Sequence, residues 1–278
     1  MKKNILITGA TSGIGKATAL ELARQGHQIL FNSRNPMKGE KVRDELISAS
    51  RNDAIHTLPA DFCSLQQVRA FAEGVKKKMP VIDILINNAG VFANDQRLTE
   101  DDFEEMLAVN HLAPFLLTGL LLDNLKASQA ARIINVSSAM HKQGQVRFDN
   151  MNGEQDYKPM SRYGDTKLMN VLFTDELVRR LGDSPIKVNS LHPGVVATNF
   201  TREMAGWIRA IFGWLSMSPE KGARTTIHLA TSEQGGKVSG EYFAKSKIAK
   251  KGPQAQDETL AKKLWAWSEE ATGFQYTV

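Results

Sequence analysis

The sequence predicts a doubly wound α/β fold, a mostly parallel sheet of about seven strands with helices on both faces. Three observations lead there. Short apolar, β-branched runs alternate with longer helical patterns along the chain. Most of those runs are continuously apolar rather than alternating, as strands buried on both faces of a parallel sheet must be. A glycine-rich turn follows the first run directly, at Gly9-Ala10-Thr11-Ser12-Gly13-Ile14-Gly15, where a fold of this class builds its first strand-to-helix connection.

Taken in order, the strands are expected over residues 4–8, 28–32, 54–58, 82–86, 132–136, 187–191 and 241–243. Between them, helical periodicity predicts helices over 14–25, 40–50, 65–78, 100–109, 114–127 and 162–181, with another at 220–231. Gly26 supplies a stop for the first of these. No internal repeat or low-complexity linker interrupts the rhythm. Only 141–159 and 199–219 break it, and loops of that length in a compact domain are usually functional.

At 278 residues, 42% apolar and 23% charged, the chain has ordinary globular composition and a length that one core can serve. One domain over 1–278 is expected, with a substrate lid inserted at 199–218. A single cysteine, Cys63, excludes a disulfide framework or a cysteine-cluster zinc site and suits a reducing compartment. The six histidines fall in no metal-ligand spacing, so no metal is expected. The net charge of +5 comes from scattered lysines and arginines rather than a stripe that could track phosphates, so no nucleic acid is expected. Met1-Lys2-Lys3-Asn4 leads straight into Ile5-Leu6-Ile7. That start lacks the apolar core of a signal peptide, and no run approaches the ~20 apolar residues of a membrane span. A cytoplasmic protein without a transmembrane anchor is expected.

The first turn sits where a dinucleotide pyrophosphate rests on a helix N-terminus. Its G-x-x-x-G-x-G spacing differs from the common G-x-G-x-x-G. A P-loop fails, because Ala17 stands where a hydroxyl must bind magnesium and Ala10 where a glycine is needed. At the end of the second predicted strand, where an NAD enzyme carries an acid, stand Ser33 and Arg34, with Lys38 beyond. A guanidinium and a hydroxyl suit a 2′-phosphate that a carboxylate would repel, so NADP(H) is the expected cofactor.

With these residues in view, the sequence resembles the short-chain dehydrogenase/reductase family. Thr8–Gly15 matches that family's glycine turn, and Asp61 in Ala60-Asp61-Phe62 its adenine-contacting acid. Asn87-Asn88-Ala89-Gly90, Asn110 in Val109-Asn110-His111, the Ser137-Ser138 pair, Tyr163-x-x-x-Lys167 and Pro193-Gly194-Val195-Val196-Ala197-Thr198 complete the pattern in order. Ser33-Arg34-Asn35-Pro36-Met37-Lys38-Gly39-Glu40-Lys41 and the run 109–118 are similar to the retinol-dehydrogenase-type branch. Thr166 replaces the usual serine before the motif lysine.

The resemblance implies a Rossmann fold and hydride exchange between a nicotinamide and a carbonyl or alcohol. Cofactor contacts would come from Gly9, Ser12, Gly13, Ile14, Gly15, Ser33, Arg34, Lys38, Asp61, Phe62, Asn88, Ala89, Gly90, Pro193, Gly194, Val196 and Thr198, together with Tyr163 and Lys167. Tyr163 and Lys167 lie four apart on a predicted helix and share a face. A neighbouring ammonium is expected to draw the tyrosine down from its usual pKa near ~10, making Tyr163 the proton-transfer residue. The resemblance gives Lys167 the nicotinamide ribose, Ser138 the substrate oxygen, and Asn110 a water linking Lys167 to solvent. Ser137 is expected to be a bystander and His192 a structural loop residue. At 199–218, Met204, Trp207, Ile208, Ile211 and Leu215 form an amphipathic stripe that either packs on the core or serves as an apolar lid, which would favour a lipophilic aldehyde or ketone. Family members often assemble as dimers or tetramers, which makes a second copy of the chain an expected partner. Two other readings stay open: an NADPH-sensing interaction protein without catalysis, and a reductase of activated carbon–carbon double bonds.

Overall fold

The apolar runs become strands β1 (Asn4–Ile7), β2 (Gln28–Ser33), β3 (Ile55–Pro59), β4 (Ile84–Asn87), β5 (Arg132–Val136), β6 (Lys187–His192) and β7 (Tyr242–Ala244). They are joined by β8 (Lys247–Ile248) in an eight-stranded sheet of order β3-β2-β1-β4-β5-β6-β7-β8. The structure is a computed structural model that describes residues 2–194 and 218–277. All neighbouring strands pair in parallel except β8, which returns antiparallel on β7. The sheet thus has eight strands where about seven were expected. β8 consists of two exposed residues with no apolar pattern to announce it. Its hairpin turn places both Lys245 and Ser246 at positive φ, the twist that lets a two-residue loop close an antiparallel pair.

Why the central residues of β1, β2 and β4 read as apolar runs is visible in their packing. Ile5 and Ile7 point into one core and Leu6 into the other; Ile29 and Phe31 oppose Leu30, and Ile84 and Ile86 oppose Leu85, in the same way. Period-two alternation therefore serves two apolar faces rather than one. Helices α1 (Gly13–Arg24), α2 (Pro36–Ser50) and α8 (Pro219–Thr231) cover the first face. Helices α3 (Leu65–Lys78), α5 (Ala113–Leu120), α7 (Pro159–Leu181) and α10 (Glu258–Thr272) cover the second. Short α4 (Glu105–Leu107), α6 (Leu122–Lys126) and α9 (Glu233–Lys237) complete the described α-helices.

Several helices differ from expectation. α2 starts at Pro36, because Asn35 caps it by accepting from the Lys38 N–H and proline is pre-set for the first helical turn. The helix expected over 100–109 begins only at Glu105. Before it, Thr99 and Phe103 close a turn and Leu98 bridges Glu104. From there α4 (Glu105–Leu107) runs through a π-helical turn, Ala108–Leu112, into α5, and the chain breaks again at Leu121 before α6. Helix α10 was not anticipated, although Ala261, Leu264, Trp265 and Ser268 are buried at helical spacing behind an Asp257 cap.

β1 is flanked by β2 on one side and β4 on the other, so successive connections leave it in opposite directions. A crevice opens at such a point beyond the carboxyl ends of the strands.

Candidate active site

A cavity of about 490 Å³ fills that crevice. Of the residues singled out in the sequence, Gly9, Ser12, Gly13, Ile14, Gly15, Ser33, Arg34, Lys38, Asp61, Phe62, Asn88, Ala89, Gly90, Ser138, Tyr163, Lys167, Pro193 and Gly194 line it. Asn110 does not line it but lies fully buried behind. Val196, Thr198 and lid residues 199–217 lie outside the described residues. Ser218, assigned to the lid, instead caps α8 by accepting from the Lys221 N–H.

The glycine turn is built for backbone proximity. Gly9 and Gly13 take φ values of +68° and +55°, open to glycine at no steric cost. A Cβ on Gly15 would meet the Gly9 carbonyl oxygen at 2.3 Å and Asn88 Nδ2 at 2.5 Å. Ser12 is extended and its side chain does not cap α1, which leaves the helix's first-turn amides to another acceptor. This cradle fits a pyrophosphate. Asn88 proves to be a brace, since its Nδ2 donates to the carbonyls of Thr8 at 2.8 Å and Gly9 at 3.2 Å. Thr8 Oγ1 in turn accepts from the amides of Asn88 and Ala89. Asn32 was missed. Its Oδ1 accepts from the Gly9 N–H at 2.9 Å and its Nδ2 donates to Ala60 O, locking three turns together. A buried amide inside an otherwise apolar strand was the available signal.

At the β2 end, Arg34 and Lys38 face the cavity. The Ser33 hydroxyl does not wait for a phosphate: it donates to Asn35 O at 2.7 Å. Asp61 accepts from the Cys63 N–H at 3.0 Å.

The other end of the cavity holds Ser138, directly after β5, with Tyr163 and Lys167 on α7. Lys167 Nζ lies 5.4 Å from the Tyr163 ring centroid and donates to Val136 O at 3.1 Å. Burial pulls Lys167 down to about 8. Burial also pushes Tyr163 up, opposed by its hydrogen bond with Ser138. The shift is thus opposite to the drop expected from Lys167: loss of water outweighs the Ser138 hydrogen bond. Asn110 sits in the π turn, a distortion common at functional sites. Its Oδ1 accepts from Val91 N–H at 2.8 Å, while its Nδ2 donates to Val91 O and Thr166 Oγ1. Both Nδ2 protons are taken by protein partners, while Oδ1 keeps a second lone pair. The Ser137 hydroxyl is spent on Lys167 O at 2.7 Å. His192, expected in a loop, is instead the last residue of β6 and lines the cavity.

Among the described residues no group of three His, Cys, Asp or Glu side chains gathers as a metal site, and no helix is long and apolar enough to cross a membrane.

The family model for short chain dehydrogenase matches residues 3–208, and the chain belongs to that family, whose members are oxidoreductases built on a Rossmann fold around a nicotinamide dinucleotide. Within it, the chain falls in the retinol-dehydrogenase-type branch. It is 41% identical to human retinol dehydrogenase 14, covering 98% of this chain and 86% of that one. Against human retinol dehydrogenase 13 the identity is 42%, over 98% and 85%. Among solved structures, it is similar to an uncharacterised protein from Mycobacterium Paratuberculosis, with TM-score 0.82, 32% identity and coverage of 99% and 95%. YwfH, an NADPH dependent reductase, shares the fold at TM-score 0.72 and 20% identity, over 92% of this chain and 100% of that one.

Proposed function

We propose that the protein is an NADP(H)-dependent oxidoreductase that interconverts a lipophilic aldehyde or ketone with its alcohol. The observation that carries this reading is one cavity with Ser138, Tyr163 and Lys167 at one end and Arg34 and Lys38 at the other. In it, the first-turn amides of α1 would take the pyrophosphate, Arg34 and Lys38 the 2′-phosphate, and Lys167 the nicotinamide ribose. The bound nicotinamide would supply hydride chemistry. Tyr163 would hold a proton on its phenol oxygen through the neutral range, because burial raises its pKa, and would give it to the developing alkoxide. Ser138 would hydrogen-bond the same substrate oxygen. In the reverse direction Tyr163 must lose that proton, so alcohol oxidation is expected to gain as pH rises. The names of the retinol dehydrogenase relatives support an apolar alcohol or aldehyde.

The test is steady-state oxidation of NADPH and NADH against a panel of aldehydes, ketones, quinones and activated alkenes, with Arg34→Ala alongside. Losing one charge-assisted contact costs about 1.5–3 kcal/mol, so the KM for NADPH should rise ~10–150-fold while that for NADH hardly moves. Equal effects on the two cofactors would remove Arg34 from the 2′-phosphate site. Turnover only with an activated alkene would replace the carbonyl reading, and cofactor binding without any turnover would favour a sensor.

A further inference from the structure

We propose that His141 is a positioning residue that fixes the backbone of Ser138 and ties it to the chain beyond the last strand. This deepens the reading of Ser138 given above and rests on it. His141 lies in the 3-10 turn Ala139–Lys142 that follows Ser138, and only 1% of it is exposed. Its Nδ1 is 2.7 Å from Ser138 O. A carbonyl oxygen can only accept, so Nδ1 carries the proton. Its Nε2 is 2.9 Å from the amide of Gly252, which can only donate, so Nε2 carries the lone pair. Two backbone groups thus impose one neutral tautomer.

The far partner is itself anchored. A Cβ on Gly252 would meet Lys142 Cα at 2.8 Å, which admits glycine alone at this approach. Next to it, Lys251 Nζ binds both carboxylate oxygens of Asp175 and Gly240 O, each at 2.7 Å. Asp175 lies on α7, the helix that carries Tyr163 and Lys167. His141 therefore closes a loop of contacts from α7 through residues 251–252 to the serine turn, and so sets Ser138 relative to Tyr163.

Protonation would break this arrangement, since an Nε2–H would confront the Gly252 N–H. The groups facing the ring among the described residues are Lys142, Lys251, His192 and Tyr242, the last with its ring centroid 4.5 Å away. Burial and the two lysines hold His141 below the usual histidine range, against the pull of the Ser138 carbonyl.

Two substitutions separate the two ring nitrogens. In His141→Asn the amide nitrogen replaces Nδ1 and keeps the tie to Ser138. In His141→Gln the amide oxygen replaces Nε2 and keeps the tie to Gly252 but has no donor for Ser138. With NADPH and an active carbonyl substrate, H141Q should lose about 10–100-fold in kcat, the scale of a misplaced reacting group. Its NADPH Kd by fluorescence should stay within about twofold of wild type, the change being read against that 10–100-fold loss. H141N should recover most of the turnover. Wild-type kcat should fall on the acid side of pH ~6.5 with NADPH affinity flat, and H141N should lack that limb. Ser138→Ala is the reference. If S138A is inactive while H141Q turns over like wild type, the inference is wrong and the reading of Ser138 stands. If S138A stays active, the reading of Ser138 fails and the inference with it. Should H141Q not fold, an unchanged acid limb in H141N would overturn the proposal.

Discussion

Tyr163 packs edge-on against Phe92, ring centroids 6.1 Å apart, beside a small apolar cluster of Phe92, Ala93 and Met106. Its ring is thus held by packing. Tyr163→Phe keeps the packing and removes the proton, so the variant should fold and bind NADPH close to normally. Turnover should fall by the ~10²–10⁴-fold typical of a lost general acid. NADPH titration beside single-turnover hydride transfer separates the two, and a near wild-type rate would rule out Tyr163 as the donor. Just outside the cavity, Arg162 pairs with Glu104 while both are buried. Glu104 also caps the amides of Met106 and Leu107, so one carboxylate joins the start of α4 to the helix that carries Tyr163. Nothing in the sequence singled that pair out, because partners 58 residues apart share no local pattern.

At the scale of elements, the turn before α1 has the least room for change. Three chain segments converge there: the Gly9 carbonyl lies under Gly15, Asn88 reaches over from β4, and Asn32 from β2. Gly15→Ala should force them apart at a cost of order 1–3 kcal/mol. The expected outcome is weaker NADPH binding together with a melting temperature lowered by several degrees. A variant that binds NADPH normally would show that the turn relaxes and that Gly15 is no steric requirement. The glycines and the strand preceding them were legible from the chain. The π turn at Ala108–Leu112 was not, because its cause is tertiary: Asn110 is held at once by Val91 and Thr166, and the helix accommodates an extra residue to let it.

For the molecule as a whole, acid is the expected weakness. His111 is fully buried, with Nε2 2.8 Å from Ser268 Oγ, between the π turn and α10. Burial, helped by Arg162, pulls its pKa down to about 3. An unfolded histidine titrates near ~6.5, so the unfolded chain binds the extra proton first. The stability this group lends is therefore complete above pH ~6.5 and is lost as pH falls toward 3, by up to a few kcal/mol. Denaturant midpoints between pH 8 and 5 should decline, and His111→Gln should flatten the decline. An unchanged slope would locate the acid sensitivity elsewhere, with His141 and His192 the next groups to examine.

By itself the sequence determined the sheet apart from β8, the helices that wrap it apart from α10, the glycine turn and many of the side chains around the cavity. Each of these is written in local periodicity, in strand-end residues, or in a motif of fixed spacing. Only the tertiary structure decided how those side chains are employed. Ser33, read as a phosphate contact, donates to Asn35 O, and Asn110, read as the holder of a water, ties Val91 to Thr166. Asn88 became a brace, and Asn32, Glu104 and His141 emerged as supports. The physical reason is that a buried polar group must be paired. Which partner satisfies it depends on atoms brought together from distant parts of the chain, a fact no spacing along the sequence records.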